Sequence, residues 1–206
     1  AGYDVTLVAV DAGPLFQALA KGDVDFTTTG WLPYTHENYW NSYGDKIDYV
    51  HENIKGAARI GLVVPSYVTI DSIEELNSAA DSFDKRIVGI EPGAGITSRT
   101  EQAINEYDLD FTLVTSSSAG MAAELASAIN KNEWIVVTGW SPHWKFSRYD
   151  LKFLEDPKGV YGGAEDIVTL SRLDLKTDDP KAYGILSRFE WTTADITSVM
   201  NAIAGG

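Results

Sequence analysis

Short apolar runs alternate with amphipathic stretches along most of this chain. Residues 5–10 (Val-Thr-Leu-Val-Ala-Val) have the β-branched density of a strand. A short helix over 14–20 follows, with Pro14 near its start and Gly22 past its end. Residues 24–29 predict a second strand. Residues 35–43 predict a helix with Tyr39, Trp40 and Tyr43 on one face. A strand over 58–64 stops at Pro65, and Ser72 with Glu75 has the spacing of a capping box opening a helix over 73–78. Strands over 86–91, 111–115 and 134–138 alternate with helices over 97–107 and 121–130. A short strand over 151–154, a turn at Pro157-Lys158-Gly159 and a strand over 167–171 follow. Helices over 180–189 and from Thr192-x-x-Asp195 to 203 close the chain.

This alternation predicts an α/β fold with mainly parallel, doubly wound sheets. The turn signals divide it into a discontinuous first lobe (1–65 and 159–206) and an inserted second lobe (66–158). Two crossings between two lobes make a hinge. Strand ends then face the cleft, where ligands settle in such folds.

Two tryptophans stand at predicted strand ends in one shared pattern, Thr-Gly-Trp-x-Pro: Trp31 in the first lobe and Trp140 in the second. Proline stops a sheet ladder and glycine lets the chain turn, so each indole is thrown out at a sheet edge. Trp191 precedes the N-cap of the last helix, where it either joins the site or staples that helix. Trp40, Trp134 and Trp144 read as structural. A trimethylammonium group has diffuse charge and no N–H donor, so hydrogen bonds cannot hold it. Indole faces can, at about 2 kcal/mol or more each when desolvated. Two or three faces together approach ~8 kcal/mol, the micromolar range.

Charge and composition narrow the alternatives. A net charge of −14 argues against nucleic acid or an anionic membrane as partner. The absence of cysteine removes disulfides, thiolate nucleophiles and thiolate metal sites. His36, His51 and His143 lack metal-ligand spacing, so no metal site is expected. No nucleophile elbow, phosphate loop or marked carboxylate pair is present, so catalysis and cofactors are not expected. Gly89-Ile90-Glu91-Pro92-Gly93-Ala94-Gly95 either converges N–H groups on an anion at a helix N-terminus or makes a tight turn. No apolar run is long enough to span a bilayer. The chain opens already close to a strand, which reads as a processed start.

The segments 29–36 (Thr-Gly-Trp-Leu-Pro-Tyr-Thr-His), 61–67, 89–95, 138–144 and 189–193 together resemble the substrate-binding proteins of glycine betaine/proline betaine ABC transporters. The resemblance runs in order along essentially the whole chain. It implies a two-lobed, hinge-closing, periplasmic-binding-protein-like (type II) fold that hands an osmoprotectant to a membrane permease. It makes Trp31, Trp140 and Trp191 an aromatic box, with the Ile70 main-chain N–H and His36 as candidates for the carboxylate. It implies an extracytoplasmic monomer, free in a periplasm, lipid-anchored or permease-fused. Relative to the family pattern, the first lobe lacks its opening strand–helix unit. Choline, carnitine and ectoine are competing ligands, and a ligand-sensing receptor module or an enzyme on the same scaffold are competing functions. A carboxylate site beside the box would exclude choline.

Overall fold

The computed structural model describes residues 2–205. Helix α1 (Ala12–Lys21) ends at Gly22 in the left-handed region, φ +77°, where glycine avoids a side-chain penalty. Strand β1 (Phe26–Leu32) and helix α2 (Glu37–Tyr43) follow, then the 19-residue strand β2 (Ile47–Pro65). A 3₁₀ helix over Ile73–Phe83 begins at the Ser72/Glu75 capping box, with both reciprocal bonds formed. β3 (Arg86–Val88), α3 (Gly95–Glu106), β4 (Thr112–Val114), α4 (Ser118–Lys131) and β5 (Val136–Ser141) alternate as the sequence pattern predicts. The short α5 (Lys145–Arg148), β6 (Leu151–Phe153), β7 (Glu165–Arg172), α6 (Leu175–Asp178), α7 (Pro180–Leu186) and α8 (Thr193–Gly205) complete the described residues.

The strand order is β1-β7-β2-β5-β3-β4, with β6 also on β2. The expectation of mainly parallel sheets is corrected here. Only β4-β3-β5 run parallel; β1-β7, β7-β2, β2-β5 and β2-β6 are antiparallel. Helical crossovers impose parallel pairing only where they return the chain in the same direction, as α3 and α4 do. β2 and β7 instead run between the two groups of strands and pair antiparallel.

The strand expected over 5–10 is a second correction. Residues 2–10 are not strand, and Leu7 is 92% exposed with Val5, Val8 and Val10 also open to solvent. β propensity makes a strand only where a neighbour offers an edge, and none of the described strands pairs with this segment.

β2 joins the two halves of the sheet. Up to Ala58 it pairs with β7; from Arg59 onward it pairs with β5 and then β6. The core divides at the same place. A large cluster takes Ile60, Leu62, Val63 and Val64 of β2 with the parallel strands and their helices. A smaller one forms around Phe16, Leu19, Leu32 and Leu170, and a third around Ile54, Ala58, Ile167 and Ile196. Asn53, 3% exposed, ties three strands: its side chain donates to Thr28 O at 2.7 Å and accepts from Thr169 Oγ1 at 2.7 Å. No helix among the described residues is long and apolar enough to cross a membrane.

Candidate functional site

Trp31 is placed by the end of β1, opposite Ile167 of β7. Gly30 lets β1 come close, since a Cβ there would lie 2.8 Å from Leu170 Cδ1. The turn beyond Trp31, with a cis Leu32–Pro33 peptide, closes on itself. His36 N–H donates to Trp31 O at 3.0 Å, and Trp31 N–H donates to His36 Nδ1 at 3.0 Å. Glu165, at the start of β7 and 1% exposed, grips the same turn. It accepts from Tyr34 N–H at 3.2 Å, from Thr35 N–H at 2.9 Å and from the Thr35 hydroxyl. Burial pushes the Glu165 carboxyl above its ordinary range, and the hydrogen bonds from Thr35 and Tyr34 pull it partly back.

Trp140 occupies the equivalent place on β5, opposite Ile60 of β2, before a cis Ser141–Pro142 peptide. Its neighbour Gly139 faces Gly61, and a Cβ on Gly139 would lie 2.3 Å from Val63 Cγ2. The His143 ring stands perpendicular to the indole at 4.8 Å. The Lys145 Nζ lies 4.2 Å from the ring centroid. Trp191, in the loop before α8, is fixed by its N–H to Asn53 O at 3.4 Å and by the Phe189 ring at 5.3 Å. Its indole N–H is buried with no acceptor.

Trp31 is common to two clusters: it packs on the large one, as Trp140 does, and on the third one, as Trp191 does. All three indoles are half-buried, so each keeps part of its surface open. Directly after Trp140 and Trp191 in the chain, Ser141, Pro142, His143, Thr193 and Thr197 line a cavity of about 650 Å³. A second concavity of about 570 Å³ is lined by Phe83, Arg86, Glu124, Lys131 and Trp134, and none of the three tryptophans lines either one.

His36 is half-buried against Phe16 at 5.2 Å and Tyr39 at 6.1 Å, and burial lowers its pKa to about 4. Because Nδ1 accepts from Trp31, the neutral ring carries its proton on Nε2. The Ile70 side chain is in the large cluster, 7% exposed. The chain around it is held by Val68 N–H to Pro65 O at 3.0 Å and by Lys152 Nζ to Asp71 at 2.6 Å. Among the described residues, no group of three or more acids and histidines could hold a metal.

The glycine segment before α3 is a turn, with Gly93 at φ +88°. Its N-terminal space is taken by main chain, since a Cβ on Gly95 would lie 1.7 Å from Thr35 O. Two further bonds link this segment and α3 to α2, which follows the Trp31 turn: Tyr39 Oη–H to Gly93 O, and Arg99 to Glu37 at 2.5 Å. Glu165, Arg99 and Lys145 carry much of this arrangement, and none was singled out by sequence motif. Glu165 and Arg99 are lone charges in unremarkable context. Lys145 had a faint signal, a cation between Trp144 and Phe146.

Comparison with known proteins gives a consistent result. The family model for the substrate-binding domain of the ABC-type glycine betaine transport system (OpuAC) matches residues 1–206. The glycine betaine/carnitine transport binding protein GbuC of Listeria monocytogenes is 44% identical over 141 residues, 67% of this chain. That match spans 47% of the Listeria protein's length. The crystal structure of lactococcal OpuAC, closed and complexed with glycine betaine, superimposes with a TM-score of 0.94 at 45% identity. It covers 100% of this chain and 80% of that one. The glycine/betaine/L-proline-binding protein ProX of Borrelia burgdorferi gives 0.91 at 42% identity, covering 96% and 76%. The indole-bearing strand ends, the α/β fold of the type II binding proteins and these matches agree: the chain belongs to the family of substrate-binding domains of ABC-type glycine betaine transport systems.

Proposed function

We propose that this protein captures glycine betaine between two lobes and presents it to the membrane permease of an ABC importer, outside the cytoplasmic membrane. Trp31, Trp140 and Trp191 wall the trimethylammonium group. The observation that carries this reading is the position of Trp31, which packs on the cluster shared with Trp140 and on the one shared with Trp191. The lobe bounds read from the sequence, 1–65 with 159–206 and 66–158, put all of β2 in the first lobe; its pairing and packing support an earlier first boundary, near Ala58, which makes β2 itself one of the crossings. Packing supports a hinge in β2 near Ala58 and Arg59, where its pairing partner changes.

The carboxylate is met by neutral donors. The Ile70 main-chain N–H and the His36 Nε2–H are the candidates, and His36 stays uncharged throughout the physiological range. Ligand contacts made only in the closed form shift the equilibrium toward closure. The Gly95–Thr35 approach and the Arg99–Glu37 pair are protein–protein contacts between the two lobes that would add to the closed form. No bond of the ligand is made or broken, so the protein is a carrier and not an enzyme, working as a monomer without cofactor.

Calorimetric titration with glycine betaine, choline and carnitine tests this. Trp31→Ala and Trp140→Ala should each weaken glycine betaine binding by at least about tenfold, the loss of most of one indole face. Unchanged affinity in both folded variants would overturn the box. Choline binding as tight as glycine betaine would remove the carboxylate donors from the site.

A further inference from the structure

We propose that Lys145 sets the affinity of this site: its ammonium sits on Trp140 and competes electrostatically with the quaternary ammonium that the same ring would hold. The proposal rests on reading Trp140 as a wall of the site, as argued above.

The geometry is specific. Lys145 opens α5 and is 0% exposed. Its Nζ lies 4.2 Å from the Trp140 ring centroid and 5.9 Å from that of Phe146, and it has no hydrogen-bond partner. Its stem runs past Gly139, where a Cβ would meet Lys145 Cε in ordinary contact at 3.5 Å. Its main-chain N–H donates to His143 Nδ1 at 3.1 Å, tying the lysine to the turn that carries Trp140.

A buried ammonium without an acceptor is costly, and an apolar side chain of the same length would fill this space without that penalty. What the lysine adds is a charge against an indole. Because Lys145 is fully buried and Trp140 only half so, the lysine takes the inner side of the ring and leaves the open side to a ligand. A ring already polarised by one cation attracts a second less, and the two charges also repel. Roughly 8 Å apart, at an effective dielectric of ~20, two unit charges weaken binding by about ten- to thirtyfold.

The charge is adjustable. Burial lowers the Lys145 pKa to about 7. His143, Arg59 and Asp195, on elements around it, keep one protonation state from pH 6 to 9. His143, lowered to about 3 by burial and then by Lys145, stays neutral; Arg59 on β2, lowered by burial, stays cationic; Asp195 on α8, lowered by its Thr192 bonds, stays anionic; Arg148 on α5 lies over Trp144, 5.0 Å from its ring centroid. A bound quaternary ammonium favours neutral Lys145, so binding expels a proton. Affinity therefore rises as the pH passes upward through about 7 and levels off above it. His36, already neutral there, adds no slope.

The test is calorimetric titration of the full chain with glycine betaine from pH 6 to 9, in buffers of different ionisation enthalpy. The wild type should bind roughly five- to eightfold tighter at pH 9 than at pH 6 and release protons at pH 7. Lys145→Met should bind at all pH values as the wild type does at pH 9, and Lys145→Arg about ten- to thirtyfold more weakly than that at all pH values. Should the variants fold poorly, NMR titration of the wild-type Lys145 ammonium decides: its pKa should fall further on adding glycine betaine. A pH-independent wild type, a Lys145→Met variant that keeps the wild-type slope, or a lysine pKa indifferent to ligand overturns the proposal. If Trp31→Ala loses binding while the Lys145 variants change nothing, only the lysine's role falls. If no form binds at any pH, the box falls with it.

Discussion

Glu165 is the residue whose removal should disturb the site most at a distance. It touches no tryptophan in the contacts described, yet it fixes the turn that carries Trp31 through two main-chain N–H groups and the Thr35 hydroxyl. Glu165→Ala leaves Tyr34 and Thr35 N–H without acceptors in a half-buried place. At about 1 kcal/mol or slightly more per orphaned donor, the loss is roughly 2–3 kcal/mol. For a chain of this size that lowers the melting temperature by about 5–10 °C, at roughly 2–4 °C per kcal/mol. Glu165→Gln keeps one acceptor oxygen and should lose about half as much. Glycine betaine affinity should fall about tenfold in Glu165→Ala, since one indole loses its fixed position but not its chemistry. The pH dependence gives a third readout. The Glu165 carboxyl titrates above its ordinary 4.5, so its stabilising contribution is fullest below that value and fades as the pH rises through the raised one. The gap between wild type and Glu165→Gln should therefore narrow over the same window. Differential scanning fluorimetry across pH, with calorimetric titration, measures all three. Two variants melting within a degree of wild type, with unchanged affinity, would refute the role given to this carboxylate.

Two further outcomes follow from the same geometry. Gly95→Ala would drive a Cβ to 1.7 Å from Thr35 O, so the contact between the α3 turn and the Trp31 turn should open. Small-angle scattering with saturating glycine betaine should then report a more extended particle than wild type, and an identical profile would contradict this. His36 and His143 resist protonation in the fold, with pKa values lowered by burial to about 4 and about 3. The unfolded chain takes up those protons first, so stability is fully present above the ordinary histidine value of 6.5 and is lost as the pH falls toward 4. Thermal melts of His36→Gln should show a shallower loss over that window than the wild type, and parallel curves would count against it.

The alternation of apolar runs and amphipathic stretches was enough to place most helices and the parallel strands β3, β4 and β5, because local pattern and burial agree there. The capping box at Ser72/Glu75 and the Thr192/Asp195 helix start were legible for the same reason: their bonds are local. So were the Gly-Trp-x-Pro edges, where glycine and proline dictate a strand end within five residues.

What local pattern could not supply is partner choice. β2 runs for 19 residues, but its first half reads Ile-Asp-Tyr-Val-His-Glu-Asn, too polar to stand out as a strand; it is one because β7 pairs with it. Residues 5–10 show the reverse, a strong strand pattern left exposed for want of a neighbour. The charges around the tryptophans follow the same rule. The sequence by itself determined that Trp31 and Trp140 stand near strand ends. Only the tertiary structure decided that Glu165, from 130 residues away in the chain, braces the Trp31 turn, and that Lys145 lies against Trp140. Hydrogen bonds and cation–ring contacts are made by proximity in space, and chain order carries no record of it.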